Sequence, residues 1–160
     1  MNRLTPLLIT VTLGAAAAAT TAQQPILTVQ QVITTTVDGK TVERLTDIKT
    51  TVPGAVLQSS SALNIPETAG GNARYTLPIP MAATYIEGSA KASRPGVTIT
   101  YALKATGPFS AQPTKTVTVT ENGKTITKTI NAPANEYRAV RYNFGTLKGP
   151  VTVSHRIRVN

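Results

Sequence analysis

Between residues 151 and 159 apolar and polar side chains alternate without interruption. Val151, Val153, His155, Ile157 and Val159 fall on one face, and Thr152, Ser154, Arg156 and Arg158 on the other. A period of two is the signature of a half-buried β-strand, because successive side chains of an extended chain point to opposite sides. The preceding segment repeats the pattern, with Arg138, Val140, Tyr142 and Phe144 on one face and Tyr137, Ala139, Arg141 and Asn143 opposite. The connection from Gly145 to Pro150 is short, which predicts that these two strands are antiparallel neighbours.

Further upstream the alternation is folded around Asn122-Gly123. Asn-Gly tolerates positive φ at both central positions, as a two-residue type I′ hairpin turn requires. Counting outward sets the register: Val119 faces Ile126, Thr120 faces Thr125, Thr118 faces Thr127 and Thr116 faces Thr129. One face of the hairpin 115–130 is then a threonine ladder, and the other carries Val117, Val119, Ile126 and Ile130. Residues 33–45 repeat the chemistry around Asp38-Gly39, with Thr36-Val37-Asp38-Gly39-Lys40-Thr41-Val42 matching Thr120-Glu121-Asn122-Gly123-Lys124-Thr125-Ile126. Shared turn chemistry accounts for the match without a repeat.

Turn signals recur throughout, at Pro53-Gly54, Gly70-Gly71, Pro95-Gly96 and Gly149-Pro150. Thr is the commonest residue and Val and Ile are frequent, a composition that favours pleated sheets over helices. Pro78 and Pro80 each lack a backbone donor, so their segment belongs on an edge or a crossover. Gly88, between two strand-like runs, predicts a bulge or turn. All seven aromatics lie between Tyr75 and Phe144, which places the denser core in the C-terminal part.

The N-terminus is different. Arg3 precedes an apolar run from Leu4 to Ala19, followed by Thr20, Thr21 and Ala22. This order of charge, apolar core and small residues predicts a cleaved secretory signal over 1–22. The run is too short for a spanning helix. The expected organisation is therefore a signal peptide at 1–22, an N-terminal strand and hairpin at 23–45, and a β-sandwich at 46–160 that forms one domain with that hairpin. An exported chain without cysteine has no disulfide framework and no cysteine–zinc site.

The middle and end of the chain resemble a bacterial surface-domain family, catalogued as a domain of unknown function and numbered eleven in its series. The phrases that carry the resemblance are Pro53-Gly54, Asn72, and Pro78-Ile79-Pro80 followed by Tyr85, Gly88 and Ser89. Tyr137, Ala139, Val140, Arg141, Tyr142, Gly145 and Leu147 form a later phrase, and Val151 to Val159 the closing one. The resemblance covers about residues 46–160. It implies an immunoglobulin-like antiparallel β-sandwich of envelope and adhesin-like proteins, without established catalytic residues. The chain departs from the family in having a single copy, and Ala55 where an acidic residue is common.

Charge is the remaining clue. Sixteen Lys and Arg against seven Asp and Glu give a formal net charge of +9, which favours polyanionic partners. The candidate ligand-binding residues are Arg141, Arg156 and Arg158, on the outward faces of two strands expected to be adjacent, with Tyr137 beside them. Guanidinium forks suit carboxylates and phosphates. The expected partners are other envelope proteins or acidic envelope polymers such as lipopolysaccharide. No nucleic-acid-binding motif accompanies the patch. The single histidine, His155, falls on an apolar strand face and reads as a hydrogen-bonded core residue. The seven acids show no metal-loop spacing, no nucleophile elbow is present, and no cofactor is expected. The chain thus reads as a non-enzymatic exported structural or interaction protein, or alternatively as a binding module for a polyanion.

Overall fold

The computed structural model describes residues 25–160. The proposed signal peptide, 1–22, lies outside the described residues. Eleven strands and two single-turn 3-10 helices follow: β1 (Ile26–Val37), β2 (Lys40–Asp47), β3 (Val56–Ile65), β4 (Arg74–Pro78), β5 (Ala83–Tyr85), β6 (Lys91–Ala92), β7 (Thr98–Ala102), β8 (Thr114–Glu121), β9 (Lys124–Asn131), β10 (Ala139–Asn143) and β11 (Gly149–Val159), with the 3-10 turns at Glu67–Ala69 and Ala134–Glu136. The class is all-β and every pairing is antiparallel. Among the described residues no helix is long and apolar enough to cross a membrane.

The larger sheet has the order β2-β1-β3-β11-β5, with β6 also paired to β11. The smaller sheet is β4-β10-β7. They stack face to face around a core that contains Leu57, Leu77, Tyr85, Tyr137, Val140, Tyr142, Phe144, Val153 and Ile157. The aromatics are concentrated where expected. As predicted from its prolines, β4 is an edge strand, and the chain after Pro78 crosses through Ile79 to β5 in the other sheet.

The adjacency predicted for the last two strands is overturned. β10 pairs with β4 and β7, whereas β11 pairs with β3, β5 and β6. Six residues of extended chain reach about 20 Å, enough to join neighbours in one sheet or to step the ~10 Å between layers. Burial decides between these outcomes. Val140 and Tyr142 on one strand and Val153 and Ile157 on the other are buried in one core cluster, and His155 is buried beside them. The Tyr142 hydroxyl donates across the interface to the Ser154 carbonyl at 2.7 Å.

Both predicted hairpins form, and the β8-β9 register is the one counted from Asn122-Gly123. Asp38 (φ 50°), Gly39 (φ 73°), Asn122 (φ 52°) and Gly123 (φ 77°) adopt the left-handed conformation that the type I′ turn needs. The two hairpins differ from the rest of the chain in one respect: no residue of β1, β2, β8 or β9 belongs to the core cluster. The N-terminal half of β1 pairs with β3 as far as Gln31, opposite Leu57, and Val32–Val37 then run on past the start of β3. The pair β8-β9 belongs to neither large sheet.

Both hairpins leave the same end of the sandwich. In the larger sheet that end is marked by Arg158 opposite Val56 and by Val159 opposite Ala83. The Arg138 guanidinium donates to the Ala83 carbonyl at 3.0 Å, which brings the Ala139 end of the smaller sheet to the same place. The β8-β9 hairpin is rooted there by Ala132 N–H to the Pro113 carbonyl (2.8 Å) and by the Lys115–Glu136 ion pair.

Candidate functional site

The four candidate residues do not form one patch. Arg141 sits on the outward face of the smaller sheet. Its Nε donates to Thr76 Oγ1 (3.1 Å), and its guanidinium carbon stands 3.5 Å from the centroid of the Phe109 ring, a cation–π geometry. Arg156 and Arg158 share the outward face of β11, in the other layer, with Arg158 exposed. Tyr137 was expected beside these arginines and is instead 8% exposed. It precedes β10, at the end of a 3-10 turn, so strand parity does not govern its direction. Its ring stacks on Tyr101 (centroids 4.9 Å) and Tyr85 (5.8 Å). Burial raises the hydroxyl pKa values of Tyr101 and Tyr137 above the usual tyrosine range.

His155 is buried as expected, at 1% exposure. Among the described residues neither ring nitrogen has a hydrogen-bond partner. Across the ladder it faces Ser59, and its ring centroid lies 6.2 Å from that of Tyr85. Desolvation pushes its pKa down from 6.5 to about 4, so the ring is neutral at neutral pH. Among the described residues no three His, Cys, Asp or Glu side chains are grouped to hold a metal ion.

What the structure does assemble is a polar cleft of about 250 Å³ on the outer face of the larger sheet, with Arg156 in its wall. Its builders come from four places. β11 supplies Ser154 and Arg156, β3 supplies Gln58, β6 supplies Lys91, and the turn after β5 supplies Glu87 and Ser89. Local chemistry explains that turn. Gly88 takes φ 70°, and the chain doubles back so that Ser89 Oγ accepts from Arg156 N–H (3.0 Å) and donates to the Ile86 carbonyl (2.5 Å). The Tyr85 hydroxyl, from the same phrase, accepts from Ala90 N–H (3.3 Å). The Tyr-Ile-Glu-Gly-Ser run therefore clamps the cleft's rim onto β11. Ser89→Ala is expected to leave the Arg156 N–H unsatisfied and to lower stability by about 1–2 kcal/mol, read as a shift in the urea midpoint at unchanged slope.

The electrostatics of the cleft centre on a carboxylate held by Arg156. Its Nη1 and Nη2 donate to the two oxygens of Glu43 (3.0 and 2.7 Å), and its Nε donates to Gln58 Oε1 (3.1 Å). Glu43 comes from β2, so the projecting hairpin is tied to the outer face of the sheet through this fork. Hydrogen bonds from Arg156 hold the Glu43 carboxyl below the usual range, with Lys91 adding to the effect, and the Arg156 pKa is raised in turn. Sequence reasoning found Arg156 by strand alternation. It missed Lys91 and Glu43, which are 65 and 113 residues from Arg156 along the chain and carry no local signal.

No family model, no curated protein and no solved structure matches the chain.

Proposed function

We propose that the chain is a non-enzymatic structural or interaction protein, exported to the bacterial cell envelope, in which an immunoglobulin-like sandwich presents two hairpins to a partner. Export rests on the charge–apolar–small pattern of 1–22, and the envelope setting on the phrases between Pro53 and Val159. The observation that carries the interaction reading is the pair of hairpins. They spend 36 residues on strands that lie outside the core cluster and of which Val32 alone is buried, and both emerge at one end.

Their edges suit strand addition. In a two-residue hairpin the pair flanking the turn exchanges both backbone bonds, and the next pair turns its groups outward. From the register, Thr114, Thr116, Thr118 and Thr120 on β8 direct N–H and C=O to one edge. Thr125, Thr127, Thr129 and Asn131 do so on β9, and Thr41 and Glu43 on β2. An edge of β-branched residues is a template for another strand. The lysines that oppose such pairing sit on the other parity, at Lys115, Lys124 and Lys128.

A photo-crosslinking residue placed at Thr118 or Thr41 is expected to capture a discrete partner in intact cells, whereas one at Thr152, on the outer face of the sandwich, captures none. Equal capture at Thr152, or none at the hairpins, would overturn the reading. The polyanion-binding alternative is favoured by one observation, the convergence of Arg156 and Lys91 on a single cleft.

A further inference from the structure

We propose that the Arg156 guanidinium, in the wall of the cleft beside β11, is a receptor for an acidic side chain carried on an extended peptide, and that the chain's own Glu43 holds it in cis. The inference rests on the interaction reading above, but on the cleft rather than on the hairpin edges.

Three features support it. The first is the geometry of the fork. Arg156 presents Nη1 and Nη2 to one carboxylate while Gln58 steadies Nε, and a guanidinium with its orientation fixed is a bidentate carboxylate receptor. The second is that the resident carboxylate is removable. Glu43 stands on a hairpin outside the core, and its side chain keeps 48% of its exposure in the pair. Exchange of one carboxylate for another at the fork thus leaves the sandwich intact. The third is the spare capacity of the cleft. Lys91 and Ser154 line it beside Arg156, with Glu87 the one carboxylate in its wall, and among the described residues Glu43 takes its hydrogen bonds from Arg156 alone.

Glu43 also identifies the ligand's chemistry, because it reaches the fork from a β-strand. A glutamate or aspartate on a partner's extended segment meets Arg156 in the same way, and an acidic side chain between β-branched residues is the minimal ligand. When it binds, Glu43 is displaced and the hairpin loses its tether to the sheet.

The test uses the full chain and its Glu43→Gln variant, titrated with the capped pentapeptide Thr-Val-Glu-Thr-Val. Its Gln-containing counterpart and glucuronate serve as the comparison probes. Relieved of its internal competitor, Glu43→Gln is expected to bind the acidic peptide about tenfold more tightly than the unaltered chain. Adding Arg156→Gln is expected to remove that gain, and the Gln peptide is expected not to bind. In the unaltered chain, saturating acidic peptide is expected to speed amide exchange in Val32–Val37. Equal affinity with and without Glu43, retention of binding after Arg156→Gln, or binding of glucuronate but not the peptide would each overturn the proposal. Both substitutions lie on the outer face, so a circular dichroism spectrum suffices to confirm folding. Hairpin crosslinks at Thr118 do not depend on Arg156, which keeps the two readings separable.

Discussion

Acidification from about pH 7 to pH 4 is expected to cost the domain about 3 kcal/mol through His155 alone. The ring is buried between the sheets, neither nitrogen has a partner among the described residues, and its pKa falls to about 4 from 6.5. Between those values the unfolded chain binds a proton that the folded chain refuses. Stability is therefore complete above the unfolded value and declines as pH falls toward the folded one. Below that the slope contributed by this residue vanishes, because both states are then protonated. His155→Leu is expected to flatten the decline, and to leave stability near pH 7 equal or higher, since a buried unsatisfied nitrogen costs about 1–3 kcal/mol. Glu43, held low by Arg156, contributes stability that is lost only as pH falls from the ordinary carboxylate value downward, at the foot of this window. Urea unfolding at several pH values checks the expectation. A decline between pH 6.5 and 4 that survives His155→Leu would refute it.

The same residue shows what was legible in the sequence. Its burial could be read from alternation along β11, because strand parity is local and the apolar neighbours Val153 and Ile157 are two residues away. Its lack of a protein partner could not, since that depends on which side chains the opposite layer brings to it. The hairpins divide in the same way. Asp38-Gly39 and Asn122-Gly123 specify the turns through a few adjacent residues, so both hairpins followed, and at Asn122-Gly123 the predicted rungs followed as well. That neither hairpin joins the core cluster, Val32 being the one buried residue of the two, is a tertiary fact with no counterpart in its own alternation: Val117, Val119 and Ile126 read like core residues and are only half buried.

The candidate site failed for the same physical reason. A six-residue link fits a neighbour in the sheet or a strand in the opposite layer, and side-chain pattern alone does not choose between them. Placing β10 and β11 in one sheet put Arg141 beside Arg156; stacking them puts the two arginines on opposite outer surfaces. Arg156 keeps its expected outward placement because its parity on β11 is independent of that choice. Its ion-pair partner Glu43 and its cleft neighbour Lys91 become visible only once the β1-β2 hairpin has met β11 and β6 has docked on β11.

Tyr142 provides the sharpest check on the two-layer arrangement. Its ring is fully buried, and its hydroxyl donates to the Ser154 carbonyl at 2.7 Å. Burial raises its pKa above the usual tyrosine range, so the phenol stays protonated and remains a donor. Tyr142→Phe removes the hydrogen bond while keeping the ring, and is expected to cost about 1 kcal/mol. Tyr142→Ala also removes the ring from the interface and leaves a cavity, for an expected loss of about 4 kcal/mol. Both are read from urea midpoints near pH 7, where His155 is neutral. If β10 and β11 were neighbours in one sheet, the hydroxyl would not reach across a core, and Tyr142→Phe would cost nothing. A small loss for Ala would place the ring outside the core altogether. Only the graded pair, modest for Phe and large for Ala, fits a tyrosine that spans the space between two sheets.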